Sequence, residues 1–230
     1  MTQYETSTLA QIPALSGEVA KLAERARQSV VLVQAGRGRG GSGVIWSAEG
    51  LVISNAHVVP GDEARVTLPE GGERRARVIA RAEAHDLVAL QVEGARALRP
   101  ADIGASSALR VGEIVAAVGN PLGMRNAVTL GVVSGLPAPG AESFGGVLQL
   151  SLTLRPGNSG GALFNARGEV VGIPHMIVRN GLALAVPSEA VAQLLRGELG
   201  TRGRLGIGVR WVQLPASFAA RAGLPGEHGL

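Results

Sequence analysis

Short apolar runs alternate with polar, glycine- and proline-rich breaks along this chain, a rhythm that predicts many strands joined by tight turns. Twelve such runs recur. The first six are Val30–Gln34, Gly43–Trp46, Leu51–Ser54, Arg65–Leu68, Arg75–Ala80 and Leu87–Val92. The second six are Ile114–Val118, Ala127–Ser134, Val147–Leu152, Ala162–Phe164, Glu169–Ile173 and Leu182–Val186. Two segments have helical spacing instead. Ser16–Arg27 sets Val19, Leu22, Ala23 and Ala26 on one face behind a capping serine, and Ser188–Arg196 closes the second set with Ser188 as its cap. Residues 1–15 carry neither pattern and read as loosely structured.

Composition narrows the class. A chain of 230 residues forms one or two domains with a sizeable core. At 46% hydrophobic and 17% charged residues it is globular rather than disordered. Its 34 glycines and 12 prolines suit the many turns of a barrel or sandwich, and with aromatics at 3% the core must be built from Val, Leu, Ile and Ala. The net charge is only +4 and the arginines are scattered. The densest group, Arg74, Arg75 and Arg77, has no interleaved aromatics to stack on bases, so it reads as a solvated strand face and no nucleic-acid partner is expected. The absence of cysteine excludes disulfides, thiol chemistry and cysteine-ligated metals. The N-terminus has no basic and apolar leader pattern, and no run is long enough to span a bilayer. The expectation is a cytoplasmic protein, or an extracytoplasmic one whose export segment has been removed.

The chemistry centres on Gly157-Asn-Ser-Gly-Gly161. A serine is a poor nucleophile unless a base activates it and donors stabilise the oxyanion that forms. Glycines at 157 and 160 allow backbone angles that let amides near Ser159 converge, and Gly161 leaves room for a substrate backbone. A base and an acid stand upstream. His57 follows the apolar run Leu51–Ile53, and Asp86 opens the strand Leu87–Val92. The order His57, Asp86, Ser159 is the one used by chymotrypsin. The competing groups fit less well. His85, next to Asp86 on a strand, would face the other way. His175 lies past the run ending at Ile173 and reads as a loop residue, with a role in a substrate groove as the lesser alternative. His228 reads as inert, and Asp62 and Asp102 lack the strand context of Asp86. Gly38–Gly43 fits G-x-G-x-x-G, yet a strand follows it rather than a helix, so it is no dinucleotide loop. His57, His85 and Asp86 lack a third ligand, so neither metal nor cofactor is expected.

Eight collinear segments resemble the HtrA/Deg family of chymotrypsin-fold serine proteases: Gly41-Ser-Gly-Val-Ile-Trp46, Leu51-Val-Ile-Ser-Asn-Ala-His-Val-Val59, His85-Asp-Leu-Val-Ala-Leu90, Val118-Gly-Asn-Pro-Leu-Gly123, Thr129-Leu-Gly-Val-Val-Ser-Gly135, Pro156-Gly-Asn-Ser-Gly-Gly-Ala-Leu163, Gly168-Glu-Val-Val-Gly-Ile173 and Ala183-Leu-Ala-Val-Pro187. The resemblance implies an all-β protease domain over 29–198, built as two six-stranded antiparallel barrels at roughly 29–112 and 113–198, with a short helix at each end. It implies Ser159 as nucleophile, His57 as base and then acid, Asp86 as orienting anion, and an oxyanion hole at the amides of Gly157 and Ser159 with Asn158. Thr153 stands where trypsin-like members that cut after Lys or Arg place an aspartate, and Leu154 follows as an apolar pocket residue. An unpaired basic side chain would be costly to desolvate there, so small or medium aliphatic residues are expected before the scissile bond. Ala183, Leu184 and Ala185 are expected to form the strand along which substrate backbone pairs.

The implied activity is ATP-independent endoproteolysis of unfolded proteins by a homo-oligomer, a trimer assembled through residues 1–28. Residues 199–230 resemble a linker and the incomplete start of a PDZ domain, and 137–146 corresponds to a loop that senses activation. One stretch departs from the pattern: Ser151-Leu-Thr-Leu-Arg155 replaces the family's Asp-Ala-Ala-Ile-Asn. That departure keeps an alternative open, a non-proteolytic chaperone or peptide-binding protein with a closed pocket.

Overall fold

Most strands bury both faces, which is why their sequences are nearly continuous Val, Leu, Ile and Ala rather than alternating apolar and polar. The computed structural model describes residues 16–36, 40–121, 124–137, 146–178 and 182–199. The expectations for 1–15, for most of the sensing loop (138–145) and for the PDZ-like segment (200–230) lie outside these residues. A helix α1 over 16–26 precedes β1 (Val30–Gln34), β2 (Gly41–Ile45), β3 (Leu51–Ser54), β4 (Glu63–Thr67), β5 (Glu73–Ala82) and β6 (Leu87–Val92). Then come β7 (Ile114–Gly119), β8 (Ala127–Gly135), β9 (Leu148–Ser151), β10 (Ala162–Asn165), β11 (Val170–Val178) and β12 (Leu182–Pro187), and the helix α2 (Ser188–Leu195). They close into two antiparallel barrels, in the orders β1-β2-β3-β6-β5-β4 and β10-β11-β12-β9-β8-β7. The all-β, two-barrel architecture implied by the resemblance is therefore the one observed.

Successive residues divide between two cores. In β6, Val88 and Leu90 point into the first barrel, with Val31, Val33, Ile45 and Val66. Leu87 and Ala89 point the other way, into a core shared between the barrels with Ala116, Val118, Ala162, Phe164, Ile173 and Val186. The second barrel has its own filling of Val115, Ala117, Leu148, Leu150, Leu163 and Ala185. Both helices add to the shared core, α1 through Leu22 and Ala26, α2 through Ala190, Val191 and Leu194.

Three expectations are corrected. β11 runs to Val178 instead of stopping at Ile173, so His175 is a strand residue. The α2 N-cap position is Pro187, not Ser188; the Ser188 hydroxyl instead donates to Gly104 O at 2.7 Å and accepts from Ser106 N–H at 3.2 Å. His85 does not lie on a strand beside Asp86 but ends a short 3-10 turn, Glu83–His85. Arg74, Arg75 and Arg77 are exposed on β5. Among the described residues, no helix is long and apolar enough to cross a membrane.

Leu150 is fully buried in the second barrel. Leu150→Ala is expected to lower the unfolding free energy by about 3 kcal/mol, measured by urea denaturation. A loss under about 1 kcal/mol would mean that the barrel interior is not packed as described.

Candidate catalytic site

Register brings the acid and the base together. β3 and β6 are antiparallel neighbours with Ser54 opposite Val88. The end of β3 therefore meets the start of β6, and His57 and Asp86, just outside these strands, share one rim of the first barrel. His57 sits in a 3-10 turn, Ala56–Val58, on the connection that crosses from β3 to β4. Arg81 on β5 pins this crossing by donating to Gly61 O at 2.6 Å and to Ala56 O at 3.4 Å. Asp86 adopts a left-handed φ of 51°, which aspartate visits more readily than most residues, and its carbonyl accepts from Ala56 N–H at 3.1 Å and Asn55 Nδ2 at 2.8 Å.

The Asp86 carboxylate grips His57 twice. Oδ1 accepts the His57 backbone N–H at 2.9 Å, and Oδ2 lies 2.7 Å from the ring Nδ1. A third donor is His175, whose Nδ1 lies 3.3 Å from the same Oδ2. Burial pushes the Asp86 carboxyl up, but hydrogen bonds from the His175 ring, the His57 ring and the His57 backbone N–H outweigh it and hold the group at about 2. Asp86 is thus an anion that can only accept, so the Nδ1 of His57 carries a proton, and in the neutral ring Nε2 presents a lone pair. The His57 side chain is half exposed, which leaves that nitrogen open to a reactant.

The serine loop is tied to the first barrel by a residue that sequence reasoning missed. Ser42 on β2 is fully buried. Its N–H donates to Ser159 O at 2.8 Å, and its hydroxyl donates to Gly157 O at 2.7 Å while accepting from Asn120 N–H at 2.8 Å. The Ser42 carbonyl in turn accepts from the Ser54 hydroxyl at 2.7 Å. Gly157 and Gly160 take φ of 104° and 80°, and a Cβ at 160 would collide with Ser42 O and Ser54 Oγ. A glycine is required there by both angle and space. Ser159 itself is half-buried, and among the described residues its hydroxyl makes no hydrogen bond. Such bonds are commonly loose before substrate arrives.

Other predicted positions fall out differently. Asn158 N–H is taken by Arg155 O at 3.0 Å, so its backbone is not a free oxyanion donor. Among the described residues, the N–H groups of Gly157 and Ser159 have no protein acceptor. Thr153 is exposed, whereas Leu154 is buried and packs in the second barrel's core. Ala183, Leu184 and Ala185 cannot pair with a substrate backbone on either edge, because β12 is already paired with β11 on one side and β9 on the other. The Ala183 and Ala185 side chains are fully buried. An open edge exists instead on β11. Its pairing with β10 covers only Val170–Gly172, and among the described residues Met176–Val178 pair with β12 alone. The continuing apolar run Met176-Ile-Val178 was the signal, obscured by Pro174. Among the described residues, no group of three His, Cys, Asp or Glu is arranged to hold a metal.

Comparison with known proteins agrees with this geometry. Residues 41–173 match the trypsin-like peptidase domain family. The chain is 40% identical over 185 residues to a probable periplasmic serine endoprotease, DegP-like, of Ectopseudomonas mendocina, covering 75% of this chain and 38% of that protein. It is 37% identical over 169 residues to the mitochondrial serine protease HTRA2 of Bos taurus, covering 69% and 36%. Among solved structures, an HtrA-type protease AlgW with tripeptide superposes at a TM-score of 0.71 and 30% identity, covering 78% of this chain and 63% of that one. A serine endoprotease from Yersinia pestis gives 0.69 and 27%, covering 78% and 66%. The chain spans less than half the length of the curated relatives it matches.

The lowered Asp86 carboxyl sets a sign for stability against pH. A carboxylate held at about 2, against an ordinary 3.8, favours the fold above pH 4, and that contribution is lost as pH falls toward 2. Parent and Asp86→Asn should therefore differ in unfolding free energy, on the order of 2 kcal/mol, at pH 5. The gap should shrink between pH 4 and pH 2. A gap independent of pH would contradict the ionised, triply bonded carboxylate.

Proposed function

Because the chain belongs to the trypsin-like peptidase family, we propose that it is a serine endopeptidase of HtrA/Deg type, with Ser159 as nucleophile, His57 as proton carrier and Asp86 as orienting anion. The observation that carries this reading is the double grip of the Asp86 carboxylate on His57, through the ring Nδ1 and the backbone N–H, which leaves Nε2 free. In the proposed cycle the Ser159 hydroxyl attacks the substrate carbonyl while His57 Nε2 takes its proton. Asp86 stabilises the imidazolium without accepting a proton itself. The N–H groups of Gly157 and Ser159, free of protein acceptors, receive the oxyanion. The imidazolium then protonates the leaving amine, and water repeats the sequence in reverse on the acyl-enzyme.

Substrate recognition belongs to the same proposal. An extended chain adds to the edge of β11 over Met176–Val178, where backbone hydrogen bonds bind without regard to side chain. This suits unfolded protein as substrate. With Thr153 in place of an acid, the pocket favours Val, Ala, Ile or Leu before the scissile bond. Trimer assembly through residues 1–28 and independence from ATP are further parts of the proposal. The competing reading, a peptide-binding chaperone, draws on Leu154, which is buried in the barrel core.

Incubation with unfolded casein separates the two. The parent should generate fragments, and Ser159→Ala should lower the rate by about 10⁴-fold or more. On peptide substrates, valine before the scissile bond should be cut faster than lysine. Equal cleavage by the Ser159 variant would remove the serine-protease reading, and protection of casein without fragments would favour the binder.

A further inference from the structure

His175 has no part in the cycle above, yet it is mostly buried, with its side chain 13% exposed, and it shares an oxygen with the base. The bulge in β11 explains its position. Pro174 pairs with Ala185 and Met176 with Leu184, so His175 is the extra residue between two paired ones. A bulge of this kind bends the strand and re-aims one side chain. Here it turns an imidazole of the second barrel onto a carboxylate of the first. Pro174 stands beside the bulge, a setting in which strands accommodate proline. Its carbonyl accepts from Gly160 N–H at 3.1 Å. One short stretch of β11 thus touches the acid through His175 and the serine turn through Pro174.

The chemistry of the ring fits one task. Asp86 is an anion, so the His175 Nδ1 facing it carries the proton and donates. Its Nε2 is buried and, among the described residues, has no partner. Among the described residues this nitrogen has no protein donor or acceptor through which to relay a proton. His175 is therefore a fixed donor and not a second base.

We propose that His175 is a positioning residue: it holds the Asp86 carboxylate across the barrel interface, in the orientation that presents Oδ2 to His57, and links that anion to the Ser159 turn through Pro174. The proposal rests on the catalytic reading of His57, Asp86 and Ser159. It predicts that loss of the Nδ1–H donor loosens Asp86 without altering substrate binding. Asparagine can supply that donor, since its Nδ2 occupies the position of the histidine Nδ1. Phenylalanine fills the ring volume without it, and alanine guards against a strained phenylalanine.

The test uses the full chain and two readouts. In the first, a ¹³C NMR titration follows the Asp86 carboxyl. His175→Phe and His175→Ala should shift its midpoint upward by about one pH unit, and His175→Asn should leave it near the parent. In the second, kcat and KM are measured on a peptide substrate. His175→Phe and His175→Ala should lower kcat about ten- to a hundredfold with KM little changed, and His175→Asn should recover most of it. An unmoved Asp86 midpoint in both donor-free variants would overturn the proposal, as would an asparagine variant as impaired as phenylalanine. Failure of the catalytic reading shows up separately, as hydrolysis that survives Ser159→Ala. In that case the titration alone decides whether His175 holds the carboxylate.

Discussion

The site depends on one constraint: groups from two separately closed barrels must be held in fixed register. Ser42 meets it. This buried serine uses its N–H, its hydroxyl and its carbonyl at once, reaching Ser159 O, Gly157 O, Asn120 N–H and the Ser54 hydroxyl. Ser42 and Ser54 are fully buried, and in such a setting a satisfied polar network rigidifies and an unsatisfied one is costly. Two carbonyls of the serine loop are thereby pinned from the first barrel, which sets the direction of the amides between them. Asn120 extends the clamp by donating from Nδ2 to Val31 O at 2.9 Å. The contact is close enough to exclude side chains, as the crowding around Gly160 shows.

The aliphatic composition follows from the same architecture. Each barrel needs an interior filling, and the seam between barrels needs another, so strands such as β6 are buried on both faces. Small Val, Ala and Leu side chains pack such closely spaced layers without the volume of aromatic rings. Polar side chains are buried around the candidate site too: Ser42, Ser54, Asn55, Asn120 and Asn158 all lie out of solvent. The candidate catalytic side chains lie where the two barrels meet, each on a short turn held by strand ends.

Much of this was legible in the chain. Strands such as Val30–Gln34 and Leu87–Val92 were bounded correctly because their apolar runs stop just before glycine and turn residues. The spacing around His57, Asp86 and Ser159 stood out because each lies beside such a run. What escaped depends on tertiary register. Ser42 lies in Gly41-Ser-Gly43, which looks like a flexible turn, yet it is part of β2. Pro174 looks like a strand terminator, and only the pairing with β12 shows a bulge that carries the strand on to Val178. The assignment of substrate pairing to Ala183–Ala185 failed for a related reason: local pattern marks a strand but not which of its edges is free.

Labelling with a fluorophosphonate, followed by peptide mapping, reads out the activation of Ser159, since the reagent modifies a serine only when a base activates it and donors receive the oxyanion. A single adduct on Ser159 is expected, lost when His57 is replaced by alanine. An unlabelled Ser159 in a folded chain, or an adduct that persists without His57, would contradict it.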